Sequence, residues 1–198
     1  MALKKEGFNL ILHTCCCVCA AGMVGLLKDR FAITLFFYNP NIQPKEEYEK
    51  RKQAARRLAK ELQVGFLEGE YDVKNWLEAV EGLGNEPEGG KRCLVCFRHR
   101  IKRAAMLARE RQKQLNLHGP LLGFSTTLLA SHLKDSDILQ KIGAEAAKEF
   151  DIKFMSFDDL AINKAEVTRL GKEIVKDFGF YRQKYCGCCF SDYSKCTK

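Results

Sequence analysis

Short apolar runs set at crossover distances from one another leave this chain few ways to bury itself. FNLILH (8–13) and ITLFFY (33–38) are separated by a helix-length segment, and the same alternation of strand-length and helix-length stretches continues along the sequence. Such a pattern predicts strand–helix–strand units around a mostly parallel sheet. ITLFFY is too short and too aromatic for a helix. NPNIQP then turns the chain, Pro44 suits a first helical position, and Tyr48, Arg51, Ala55, Leu58 and Leu62 repeat at helical spacing towards a third strand near VGFLEG. GLGNEPEGGK (82–91), with four glycines and a proline, predicts a loop. A helix follows from about Leu94 to Gln112, with Ile101, Ala104, Ala105 and Ala108 on one face. LLGFSTTLL predicts a strand and loop, DILQKIGAEAAKEF a helix and IKFMSF a late strand, while Asn163 and Glu166 cap a helix ending near Phe178 and Gly179. With 198 residues, 46% of them apolar, and no repeat, low-complexity tract or linker, the expectation is one α/β domain over 1–198, built on a doubly wound, mostly parallel sheet.

The cysteines constrain the chemistry. Ten are present, and nine fall into three clusters: CCCVC at 15–19, CLVC at 93–96 and CGCC at 186–189, with Cys196 trailing. Neighbouring cysteines cannot easily meet the separation and dihedral of a disulfide, and a chain with this much core needs no staples, so a reducing, cytoplasmic setting is expected. Three clusters in one chain point to metal or redox chemistry. The bland reading, small buried hydrophobes, suits Cys17, Cys189 and Cys196 individually. Setting those aside leaves seven thiols: Cys15, Cys16, Cys19, Cys93, Cys96, Cys186 and Cys188. Thiolate-rich sites select zinc, copper(I) or iron–sulfur clusters, and a single ion or a [4Fe–4S] cluster uses four ligands, so seven suggest a cluster plus a second ion or a cluster plus a working dithiol. His13 and Asp72 could complete an incomplete set. In doubly wound folds ligands gather beyond the carboxyl ends of the strands, where Cys15 to Cys19 fall. Cys93 and Cys96 open a helix whose amino-terminal dipole favours thiolate.

Absences narrow the field. Position 22 is Gly, so Cys15 and Cys19 do not complete a CxxxCxxC triad, and no GxGxxG, P-loop or SGGxDS loop is present. A nucleotide-driven reaction is disfavoured. The net charge is +8, and residues 91–113 hold nine Lys or Arg against a single acid, Glu110. That run is either a solvated helix face or a phosphate-attracting stripe. Lys4 and Lys5 before an apolar stretch imitate a signal peptide, but Asn9, His13 and Thr14 interrupt it, and no run reaches the ~18 apolar residues of a membrane span. No membrane association is expected.

Taken in order, LILHTCCCVC, FYNPNIQPKEEYEKR, EPEGGKRCLVCFRHR, FSTTLLAS and YRQKYCGCCFS resemble the QueH family of epoxyqueuosine reductases over nearly the whole chain. The resemblance implies a fold similar to the adenine nucleotide α-hydrolase type. It also implies an oxidoreductase that removes the epoxide oxygen from epoxyqueuosine in tRNA, the last step of queuosine biosynthesis, using a [4Fe–4S] cluster and an additional iron ion. Motif by motif it carries over Cys15, Cys16 and Cys19 from HxCCxxC, Cys93 and Cys96 from RCxxC, and Cys186 and Cys188 from YCGC as metal ligands. CCCVC stands in place of the commoner CCAPC, adding Cys17, and DLAIN stands where DFRK is usual, removing a basic pair.

Deoxygenating an epoxide needs two electrons, a Lewis acid or proton donor and exclusion of water. The expected partners are therefore tRNA carrying epoxyqueuosine and a ferredoxin-like or flavodoxin-like electron donor. Cys15, Cys16 and Asp72 are the catalytic candidates. Tyr38, Asn39, Asn41, Arg98 and Arg100 are the substrate-binding ones, with Lys102 and Arg103 beside them for backbone phosphates and Arg100, seven residues from Cys93, facing the site. Two other readings predict different behaviour: a zinc-binding RNA-binding module with purely structural thiols, or a thiol oxidoreductase using Cys93 and Cys96 alone.

Overall fold

The first strand, β1 (Asn9–His13), is buried on both sides: Leu10 and Leu12 belong to one apolar cluster and Ile11 to another. Two-sided burial is what a strand shows when helices cover both faces of its sheet. The computed structural model, which describes residues 9–114, 122–183 and 185–191, sets β1 at the centre of a five-stranded, all-parallel sheet. The other strands are β2 (Ala32–Phe37), β3 (Gly65–Glu68), β4 (Leu122–Thr126) and β5 (Lys153–Phe154), in the order β3-β2-β1-β4-β5. Against Leu10, Leu12, Ile33 and Leu35 pack α1 (Cys17–Leu27), α2 (Lys45–Glu61) and α7 (Lys164–Asp177). Against Ile11, Phe36 and Phe124 pack α4 (Lys91–Gln114) and α5 (Ser136–Phe150). This is the doubly wound arrangement the alternation predicted.

Boundaries differ from expectation for local reasons. Helix α4 begins at Lys91, inside the stretch expected as loop, so Cys93 and Cys96 lie in its first two turns. The loop before it is laced to the helix by Arg92, whose Nη1 donates to the carbonyls of Leu83, Gly84 and Glu86. Strand β5 has only two residues because Ser156 and Asp159 form a capping box that opens the short helix α6 (Phe157–Leu160). An unforeseen helix, α3 (Val73–Ala79), is capped by Asp72, which accepts from Asn75 N at 3.0 Å, and anchored by fully buried Trp76. The Asn163 cap is as expected, accepting from Glu166 N at 2.9 Å. Phe8, Leu121 and Cys196 lie outside the described residues.

The chain winds from β1 outward through β2 to β3, then returns to place β4 on the other side of β1. The crevice beyond the carboxyl ends of β1 and β4 is therefore the switch point at which such folds bind ligands.

Candidate functional site

Three thiol-bearing segments reach that crevice by different routes. Cys15, Cys16 and Cys19 follow β1 directly and line a cavity of about 150 Å³ together with Cys186, Arg51, Arg100 and Lys134. An adjoining cavity of about 200 Å³ is lined by Cys93 and again by Cys186 and Lys134. Behind them Cys96 and Cys188 pack with Trp76 and Val80, with Cys186 and Cys189 against that cluster. The three segments thus meet at one end of the sheet.

Each segment is fixed by ordinary structure. The amide of Thr14 donates to the Phe36 carbonyl at 2.9 Å, which holds the first loop against β2. The last segment pairs with the turn after β2: Gln43 N donates to Gly187 O at 2.8 Å and Ile42 bridges Cys188. Arg51, 3% exposed, clamps it from α2, donating to the carbonyls of Cys186 at 2.9 Å and Tyr185 at 3.0 Å while pairing with Glu47 at 2.7 Å. Gly187 has φ +97, and a Cβ there would come within 3.0 Å of the Arg51 guanidinium, so the CGC spacing needs its glycine.

Arg100 stands at the centre, 2% exposed. Its Nη1 donates to Asn39 Oδ1 at 3.3 Å and its Nε to the Cys96 carbonyl at 3.4 Å, while Nη2 has no hydrogen-bond partner among the described residues. The titratable groups nearest to it are the thiols of Cys96, Cys15, Cys186 and Cys188, drawn from all three segments. A buried cation is normally paired. This one faces sulfur.

Burial and thiol–thiol hydrogen bonds favour the protonated form at several of these cysteines. Hydrogen bonding with Cys16 and burial hold Cys15 well above the usual thiol range. For Cys16 the bond with Cys15 pulls down, but the bond with Cys19 and burial prevail, giving about 11. Burial raises Cys93, and raises Cys96 to about 11 and Cys17 to about 12. The expected thiolate preference at the start of α4 is thus reversed: Gly89 N does donate to Cys93 Sγ at 3.2 Å, but desolvation outweighs that help. No group of three Cys, His, Asp or Glu side chains among the described residues converges on a single ion, so the thiols line the cavity rather than meet at a point.

His13 is fully buried; Nε2 must donate to the Tyr38 carbonyl at 3.1 Å, so Nδ1 accepts from Thr126 Oγ1 at 2.9 Å and no lone pair is left for a metal. Burial and Arg100 push it down to about 3. Asn39 bridges the site, its Nδ2 donating to Thr14 O at 2.8 Å, and the buried amide of Asn41 has both polar atoms without partners among the described residues. Asp72 caps α3 and faces a separate cleft with Tyr38, away from the thiols. Arg98, exposed, and Lys102, half-buried, are turned to α5, where they pair with Glu145 at 3.4 Å and Glu149 at 2.6 Å. Part of the basic run of α4 is thus neutralised against α5. Sequence reasoning gave no site role to Arg51, Arg92 or Lys134. Arg51 alone left a signal, an arginine recurring in register with the buried residues of α2.

Fold and site together define a parallel α/β protein with a switch-point crevice lined by thiols from three separate segments. The profile of the epoxyqueuosine reductase QueH family matches residues 10–194. The chain is 38% identical to the epoxyqueuosine reductase QueH of Acinetobacter baylyi over 96% of its own length and 84% of that protein's. It is 36% identical to that of Haemophilus influenzae (94% and 73% covered) and 34% identical to that of Thermotoga maritima (92% and 90% covered). The chain belongs to the QueH family.

Proposed function

We propose that this chain reduces epoxyqueuosine in tRNA to queuosine, as the names of its relatives suggest. In that reaction both C–O bonds of the epoxide break, a carbon–carbon double bond forms, and the oxygen leaves as water after taking up two electrons and two protons. The observation that carries the reading is the convergence of three thiol segments on Arg100, a buried guanidinium that lines one cavity with Cys15, Cys16, Cys19 and Cys186 and bonds the Cys96 carbonyl.

The donor set fits a thiolate-held centre. The unpaired Nη2 of Arg100 asks for nearby negative charge, and spaced thiols suit a cluster held at its corners better than a lone ion. Cys15, Cys16, Cys19, Cys93, Cys96, Cys186 and Cys188 are the residues that would hold a [4Fe–4S] cluster and an additional iron. When bound, such a centre supplies single electrons and a Lewis acid for the epoxide oxygen. The remaining work belongs to the chain. Arg100 offsets thiolate charge, Arg51 keeps Cys186 at the cavity, and Lys134, a cation in the wall of both cavities, can hand a proton to the departing oxygen. Asn39, just past β2, holds the Arg100 guanidinium at the cavity. An electron donor of the ferredoxin or flavodoxin kind completes the balance.

The geometry weighs against a free dithiol at Cys93 and Cys96, since Cys96 is 5% exposed and raised to about 11, a poor nucleophile. The test is anaerobic incubation of iron-loaded protein with a strong reductant and tRNA bearing epoxyqueuosine, followed by nucleoside mass spectrometry. Queuosine is expected in place of the epoxide; no conversion by fully loaded protein contradicts the proposal.

A further inference from the structure

The carboxyl edge of the sheet carries a second hollow that the thiol chemistry does not use. Past β2 and β3, a cleft of about 420 Å³ lies between Tyr38, Glu70 and Asp72 on one side and His99 and Arg103 of α4 on the other. Consecutive residues separate it from the thiol cavity. Tyr38 and His99 hydrogen-bond on the cleft side at 2.9 Å, while Asn39 and Arg100 bond on the thiol side at 3.3 Å. The dividing wall is one residue thick.

The wall is built of rings. Phe36 and Tyr38 lie 3° from parallel with centroids 5.9 Å apart, and Tyr38 and His99 lie 23° from parallel at 5.9 Å. The row ends at the half-buried imidazole of His99, which burial and Arg100 hold below the usual histidine range and so uncharged at neutral pH. Nearby, the Arg103 side chain is 33% exposed, with its ion-pair partner Glu110 standing off at 3.8 Å. Glu70 and Asp72 supply acceptors across the cleft. An aromatic surface for a base, the partly exposed guanidinium of Arg103 for a phosphate and facing carboxylates for a 2′-hydroxyl or an exocyclic amine form a complementary set for one ribonucleotide.

We propose that this cleft holds the nucleotide adjacent, in the RNA strand, to the one that enters the thiol cavity. The inference rests on the tRNA-substrate reading above and adds to it a recognition site on the far side of the Tyr38–His99 wall. A strand threaded this way would place neighbouring bases on opposite sides of that wall, with Arg103 beside the phosphate that joins or flanks them.

The test is a binding cycle with tRNA carrying epoxyqueuosine, intact or with an abasic residue at one or the other flanking position. His99→Ala is expected to weaken binding about tenfold, the loss typical of one base-stacking contact. An abasic residue at one flank should cost as much, and the two changes together no more than either alone. His99→Phe, which keeps a ring, should restore most of the affinity, and this guards against a mere folding defect in the alanine variant. Arg103→Gln should lower the salt slope by roughly one ion, while Arg111→Gln, further along the same helix, leaves binding within about twofold. Additive losses at both flanks, or equal losses for Arg103→Gln and Arg111→Gln, overturn the cleft. Absence of any tRNA binding by the unaltered protein instead overturns the substrate reading on which it rests.

Discussion

Arg51, Arg92 and Arg100 are each 3% exposed or less, and each serves the thiol site in a different way. Arg51 holds the backbone of Tyr185 and Cys186, Arg92 ties down the loop that delivers Cys93, and Arg100 faces the sulfurs themselves. Composition cannot separate such residues from solvated arginines; the i+7 relation of Arg100 to Cys93 and the register of Arg51 with the buried residues of α2 pointed inward, and nothing did so for Arg92. The thiols were legible because their type and spacing carry chemistry; the guanidiniums that assemble them were not, because their role depends on what arrives from elsewhere in the chain. Replacing Arg51 with Met leaves Glu47 buried without its cation and should destabilise the fold by about 3 kcal/mol in urea titration. Adding Glu47→Gln should recover part of that loss, whereas equal stability of the single and double variants contradicts the clamp.

At the scale of elements, the alternation of runs predicted the sheet, the helices on both its faces and their order, because each is a local pattern of burial. What it missed was α3, whose seven residues expose most of one side and are held by Trp76 alone, and the closeness of α1 to α7. Those two helices pack backbone to backbone: a Cβ on Gly22 would stand 1.9 Å from the Val167 carbonyl oxygen, and one on Gly171 would stand 2.2 Å from that of Val18. The contact seats the helix that carries Cys17 and Cys19. Gly22→Ala should therefore cost about 3 kcal/mol or more in stability, at the upper end of overpacking effects, and lower iron uptake with it. Thermal unfolding checks the first effect, and a variant as stable as the parent sinks the close-packing account. By contrast Asn163→Ala removes only a cap and should cost about 1 kcal/mol.

Across the whole molecule, a net charge of +8 attracts nucleic acid, yet part of the densest basic run is already paired within the fold. Arg98, Lys102 and Arg109 of α4 pair with Glu145, Glu149 and Asp151 across the α4–α5 face. Arg98→Gln should accordingly leave tRNA affinity within about twofold and its salt slope unchanged; a drop of one ion in the slope would return Arg98 to the phosphate-binding face. No described helix is long and apolar enough to cross a membrane.

The central claim is that thiols far apart in sequence serve one iron centre. Anaerobic preparation of the protein and of Cys15→Ser, Cys93→Ser and Cys186→Ser variants, with iron, sulfide and zinc measured per chain, tests it directly. About five irons are expected in the parent, four of them in a [4Fe–4S] cluster, and a clear loss of iron in every variant. A variant that keeps the full complement, or a parent that binds zinc in place of iron, contradicts the account.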